Sequence, residues 1–211
     1  MEMKKYYLIS IIILLVIFFL FFMSFERKRP KAKDVVTLGV MIAIAVAARA
    51  AFIYVPHFKP MAAIIMIVGV AFGPYEGFLV GACSALMSNF IFGQGFWTPW
   101  QMVAFGVSGL LAGIVFNRLN APKNRFIFAI FGMIEIVAVT GPILDTSSVF
   151  FMLSEQSEMG IAAIYASGFP VNLVHGTATA ITMFLLAVPL IKRLDRIKKK
   201  YGIMEKGKNG I

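Results

Sequence analysis

The chain alternates long apolar runs with short polar strips. Seven runs stand out: residues 6–25, 35–55, 61–72, 78–92, 99–116, 126–144 and 171–191. Residues 6–25 hold twenty positions without a charge, about one bilayer thickness. This first run lacks a small-x-small cleavage site and is followed by ERKRPKAK, so it reads as a retained anchor and not as a signal peptide. Run 61–72 is short, at a length shared by core, tilted and re-entrant helices, and Pro60 and Gly73-Pro74 bound it clearly. The pattern predicts an all-α membrane protein. A six-helix bundle occupies residues 34–200. Residues 1–33 add an N-terminal transmembrane helix and a basic linker, and 201–211 form a basic tail.

Composition supports that class. Of 211 residues, 60% are hydrophobic, and mean hydropathy is +0.86, far above a soluble domain. The net charge of +10 is not a nucleic-acid groove, because the basic residues fall in strips between or after apolar runs. Residues 27–33 carry five Lys or Arg, 117–125 carry three and the tail from Lys192 carries eight. If each core run crosses once, all of these lie on one side, against Lys4, Lys5 and Lys59 on the other. The positive-inside rule then puts both ends of the six-helix core, and the C-terminus, in the cytoplasm. The strips 57–60, 93–100 and 145–168 face outward; 73–76 and 117–125 face the cytoplasm. The lone cysteine, Cys83, sits in an apolar run and reads as a small core residue, with no disulfide framework.

The outward strip around GQGFWTPWQM (residues 93–102) is the densest in chemistry. It holds two glycines, a proline, two tryptophans and two glutamines. Hydrocarbon tolerates such a segment only where protein or a water-filled cavity covers it. Trp97 and Trp100 offer flat faces to a planar ligand, and Pro99 suits the first turn of the next helix. Three ionisable residues lie at membrane depth: Arg49, Glu135 and His175. Their depths allow two readings, an Arg49–Glu135 ion pair or a polar floor beneath an outward-facing cavity. Asn89, Gln94, Gln101 and Asn172 add hydrogen-bonding groups near the same level. The candidate ligand set is therefore Arg49, Asn89, Gln94, Trp97, Trp100, Gln101, Asn172 and His175.

Gly39, Ala43, Ala47 and Ala51 recur every four residues along the first core run. A helix gathers them on one stripe, where a second backbone can approach closely. Arg49 stands two residues from Ala47 and from Ala51, roughly 200° around the helix, so it faces away from the stripe. Gly77/Gly81/Ala85 and Gly109/Gly113 repeat the habit, so internal packing is an alternative use for such spacing.

Catalytic readings find little support. Gly106-Val107-Ser108-Gly109 with His175 resembles the dyad of rhomboid intramembrane proteases, but no His-x-x-x-Asn-like constellation occurs in an earlier run. There is no Walker A sequence, no H-E-x-x-H and no metal-spaced Cys/His set. The expectation is a non-enzyme without cofactor or metal site. An autonomous ion-coupled carrier is a further reading, and would transport without any ATPase.

The run ARAAFIYVPHFKPMAAIIMIVGVAFGPYEGFLVGACSALMSNFIFGQGFWTPWQM resembles a substrate-binding S component of an energy-coupling factor (ECF) vitamin transporter. It is most similar to the cobalamin type, in which a GQGxWTPWQM-like segment joins two spans. The resemblance covers Asp34 to about Lys200. It implies a six-helix bundle in the bacterial cell membrane with a vitamin cavity near the outer face. It also implies that the stripe Gly39, Ala43, Ala47, Ala51 docks the ECF transmembrane coupling subunit, which joins two ATP-binding cassette ATPases. Cobalamin is the expected vitamin, with riboflavin, thiamine, folate, biotin or pantothenate as alternatives. The N-terminal run 6–25 departs from the six-helix pattern.

Overall fold

A computed structural model of the chain describes residues 30–154 and 160–204, with positions 8, 11, 12, 15, 16, 18, 19 and 23 of the N-terminal run, all eight of them helical. The core is helical throughout. Helix α1 is Ala32–Ala51, α2 is Met61–Phe72, α3 is Pro74–Phe92, and α4 is Thr98–Gly113, which continues as a π-helical turn Ile114–Arg118. Helix α5, Arg125–Glu135, passes through a π-helical turn Ile136–Thr140 into α6, Gly141–Ser154. Helix α7 is Ile161–Tyr201.

Among the described residues, five helical stretches are long and apolar enough to cross a bilayer: Ala32–Ala51, Pro74–Phe92, Thr98–Arg118, Arg125–Met152 and Ile161–Tyr201. The exception is α2. Its 12 residues span about 18 Å, short of a hydrocarbon core of about 30 Å. All of them are buried. A helix apolar on every side has no face to give to water, and α2 is packed on all sides by α1, α3, α4 and α7. Gly73, with φ of 130°, makes the sharp turn from α2 into α3.

Glycine decides the packing of α3 on α4. A Cβ at Gly109 would strike the backbone of Gly77, and one at Gly81 would strike the backbone at Phe105. These glycines bring two backbones into contact inside the bundle. The α1 stripe differs. Gly39, Ala43, Ala47 and Ala51 are all exposed, while Leu38, Met41, Ala45 and Arg49 of the same helix are buried. A Cβ on Gly39 would meet nothing within 4 Å. The two small-residue patterns thus have different fates, and the Arg49 face is the inward one.

The sequence pattern departs from the structure after residue 144. The expected outward strip 145–168 is mostly helix, because α6 runs to Ser154 and α7 starts at Ile161, ahead of Pro170. The polar groups that suggest a loop are satisfied within the helix. Thr146 donates to the Pro142 carbonyl at 2.7 Å and Ser147 to the Leu144 carbonyl at 2.6 Å.

The described parts of the basic strips gather at one end of the bundle. Asp34 accepts from the Lys31 amide at 2.9 Å and the Met204 amide at 2.8 Å, joining the start of α1 to the end of α7. Lys33 donates to the Tyr201 carbonyl, Lys198 to the Ala71 carbonyl, and Asn117 to the carbonyls of Gly69 and Val70. Arg49, the strip 57–60 and the tryptophan strip lie at the opposite end.

Candidate functional site

At that opposite end a cavity of about 320 Å³ opens among α1, the strip before α2, and helices α4, α6 and α7. Five of the expected residues line it: Arg49, Trp97, Gln101, Asn172 and His175. His57, Lys59, Phe96 and Phe105 complete one side, and Leu144, Asp145, Ser147, Ser148 and Val171 the other.

Arg49 is 7% exposed, in the last turn of α1. Its Nη1 donates to the Ser88 hydroxyl and, at 3.0 Å, to Asn89 Oδ1. The guanidinium lies over Phe92, 4.4 Å from the ring centroid. The two polar partners come from α3, so Arg49 does not ion-pair with Glu135. Glu135 lies deeper, 3% exposed, and accepts from Thr140 at 2.8 Å through the π-helical turn. Ser108 neighbours this carboxyl, but no hydrogen bond closes onto Ser108 Oγ or Glu135 Oε2.

Asn89 is not in the cavity wall but behind it. Its Nδ2 donates to Thr98 Oγ1 at 3.1 Å and to Gln101 Oε1 at 2.9 Å. A continuous relay therefore runs from Arg49 through Asn89 to Gln101, which faces the cavity. Gln94 also lies outside the lining. It accepts from Thr98 at 2.9 Å and donates to the Leu86 carbonyl at 3.2 Å, fixing the short connection between α3 and α4. Trp100 stacks on Phe150 at 5.3 Å and is not a lining residue. Phe96 stacks on Phe151 at 4.4 Å and meets Trp97 edge-on at 4.9 Å. The tryptophan strip is thereby bolted to the end of α6, with Trp97 left at the cavity.

The far wall is polar. Asn172 Nδ2 donates to Asp145 Oδ2 at 2.7 Å. Gly141 and Gly168 make room for this pair, since a Cβ at either would collide with the Asn172 amide or the Asp145 carboxylate. His175, 6% exposed, packs edge-on against Phe105 at 6.0 Å. Burial, reinforced by the Arg49 charge, holds the Lys59 ammonium below the ordinary lysine range. Sequence reading passed over Lys59, as the outward lysine of a short strip, and Asp145, as a loop residue. The missed signal was tertiary: both become wall residues only when α6 and α7 converge.

The hydrolase reading needs Ser108 and His175 within hydrogen-bond reach of each other. Neither Ser108 Oγ nor His175 Nε2 has a hydrogen-bond partner, so the two are not joined as a Ser–His pair. Among the described residues no group of three or more His, Cys, Asp or Glu could hold a metal ion.

No solved structure matches this chain. A family profile does, over residues 29–196, and its description is ECF-type riboflavin transporter, S component. The match leaves the N-terminal run outside, and its type is riboflavin where the tryptophan strip suggested cobalamin. An all-helical bundle with an end cavity, an exposed small-residue stripe and this match over most of the chain lead to one assignment: the chain belongs to the family of ECF-type riboflavin transporter S components.

Proposed function

We propose that this chain captures riboflavin in the end cavity and delivers it through an ATP-driven ECF coupling module docked on the outward face of α1. The observation that carries the reading is the riboflavin-type family match across residues 29–196. The cavity agrees with it in three respects. Its volume of about 320 Å³ falls in the range of about 300–1,000 Å³ that suits compact organic ligands. Trp97, Phe96 and Phe105 supply flat apolar surface for a fused ring. Arg49, Lys59 and Gln101 supply donors for ring carbonyls, and Asp145 an acceptor for ring N–H or side-chain hydroxyl groups. A corrin is several-fold larger than a flavin, so size also favours riboflavin over cobalamin.

The cavity end faces outward and the basic end, with the C-terminus, faces the cytoplasm. The charge asymmetry of the strips supports this orientation. The chain has no Walker A sequence, so power reaches it through protein contact. The stripe Gly39, Ala43, Ala47, Ala51 is exposed and smooth, and in lipid close backbone packing drives helix association. Binding in the cavity and docking on the stripe use opposite faces of α1, so one helix can report the state of one to the other.

The test is titration of purified full-length protein with riboflavin, thiamine, folate, pantothenate and cobalamin. Riboflavin binds, with quenching of flavin fluorescence, and Trp97→Ala weakens it by up to about tenfold through loss of a stacking contact. Binding of another vitamin with no response to riboflavin refutes the reading.

A further inference from the structure

The N-terminal run lies outside the family match, yet its described helical positions pack on the bundle. Phe18 packs on Phe78 of α3 with ring centroids 6.1 Å apart. Between this helix and the α3–α4 pair runs a groove of about 460 Å³. Ile11, Leu15 and Phe18 form one wall, and Leu79, Cys83 and Met102 stand across from them. Among its described lining residues only Tyr75 carries a polar oxygen, and it stands at the start of α3, at the basic end. Arg118 lies over the Tyr75 ring, 5.9 Å from its centroid. The groove thus follows the hydrocarbon depth to Tyr75, and Arg118 stands next beyond it at the basic end. In sequence, Arg27, Lys28 and Arg29 follow the N-terminal run.

Apolar space of this size does not stay empty beside hydrocarbon. An apolar cavity of about 150 Å³ already binds a small hydrophobic guest. A helix, about 10–12 Å across, is too wide for the space left between walls that are themselves helices. A flexible chain of methylenes fits. A cation at the mouth then selects the head group, because basic pockets between transmembrane helices on the cytoplasmic side hold anionic head groups.

We propose that this groove binds one anionic phospholipid of the leaflet at the basic end, with an acyl chain between the N-terminal helix and α3–α4 and the phosphate at Arg118. The lipid completes the packing of the N-terminal run on a face separate from the cavity and from the α1 stripe. The site is independent of which vitamin the cavity takes.

The test is native mass spectrometry of delipidated full-length protein incubated with dioleoylphosphatidylglycerol or dioleoylphosphatidylcholine. Wild type retains one phosphatidylglycerol in preference to phosphatidylcholine. Arg118→Gln lowers that occupancy roughly fivefold, the value of one basic residue at the membrane surface. Cys83→Trp fills the groove and abolishes it, while vitamin binding by both variants stays at the wild-type level. The single cysteine gives a second readout that needs no variant: phosphatidylglycerol slows labelling of Cys83 by an apolar maleimide, and phosphatidylcholine does not. Equal retention of the two lipids, unchanged occupancy in both variants, or labelling of Cys83 indifferent to lipid overturns the proposal.

Discussion

Replacing Arg49 by methionine tests how the cavity wall is held. Methionine keeps the apolar bulk of the side chain and removes the guanidinium. Two hydrogen bonds from a charged donor disappear, to Ser88 and Asn89, each worth about 1.5–3 kcal/mol in isolation. Relief of burying the charge offsets much of that sum. Ser88 keeps its bond to the Ala85 carbonyl at 3.0 Å, so its loss is small. Asn89 Oδ1 is the group left without its guanidinium donor, at 1% exposure, and an unpaired buried acceptor costs about 1–3 kcal/mol. The expected net destabilisation is therefore about 1–3 kcal/mol. Binding suffers further, because Asn89 orients Gln101 at the cavity and the wall loses a positive charge. Riboflavin affinity should fall more than tenfold. Arg49→Lys retains the charge but not the planar fork, and should lie between wild type and Arg49→Met. The assays are thermal unfolding in detergent and flavin titration. If Arg49→Met unfolds and binds as wild type does, the relay from Arg49 to Gln101 has no role in stability or binding.

Three further outcomes follow from other parts of the structure. Lys59 has its pKa lowered by burial and by Arg49, so the unfolded chain binds more protons there than the folded one just below the ordinary value of 10.5. Stability should then rise with pH through that window, and Lys59→Met should flatten the rise in a series of unfolding temperatures. Gly109→Leu should cost at least about 1–3 kcal/mol by forcing α3 from α4, whereas Gly39→Leu, pointing into open space, should leave the unfolding temperature unchanged; the reverse order would contradict the packing described. Ala47→Trp should bind vitamin normally in isolation yet fail to co-purify with the coupling subunit, and normal co-purification would place docking elsewhere.

Much of the fold was legible because lipid imposes strong rules. Uninterrupted apolar length marked the crossings, and Pro60 and Gly73-Pro74 marked α2 to the residue. The two-residue offset of Arg49 from Ala47 and Ala51 correctly assigned the inner and outer faces of α1, since helical periodicity needs no tertiary knowledge. Side-chain partnership was not legible. Depth alone allowed Arg49 to meet Glu135, but lateral position decides, and α3 delivers Ser88 and Asn89 first. Trp100 and Gln94 share a strip with Trp97, yet one helical turn separates stacking on Phe150 from facing the cavity. Asp145 was hidden because a run of Asp, Thr and Ser reads as a loop until Asn172, Gly141 and Gly168 pack around it.

The central claim is that the end cavity holds riboflavin. The most direct measurement is to purify the full-length protein from riboflavin-containing cells, denature it, and identify the released molecule by mass and visible spectrum. The expected content is one riboflavin per chain, retained by Ala47→Trp and largely lost from Arg49→Met. Release of a corrin or another vitamin, or wild-type flavin content in Arg49→Met, would contradict it.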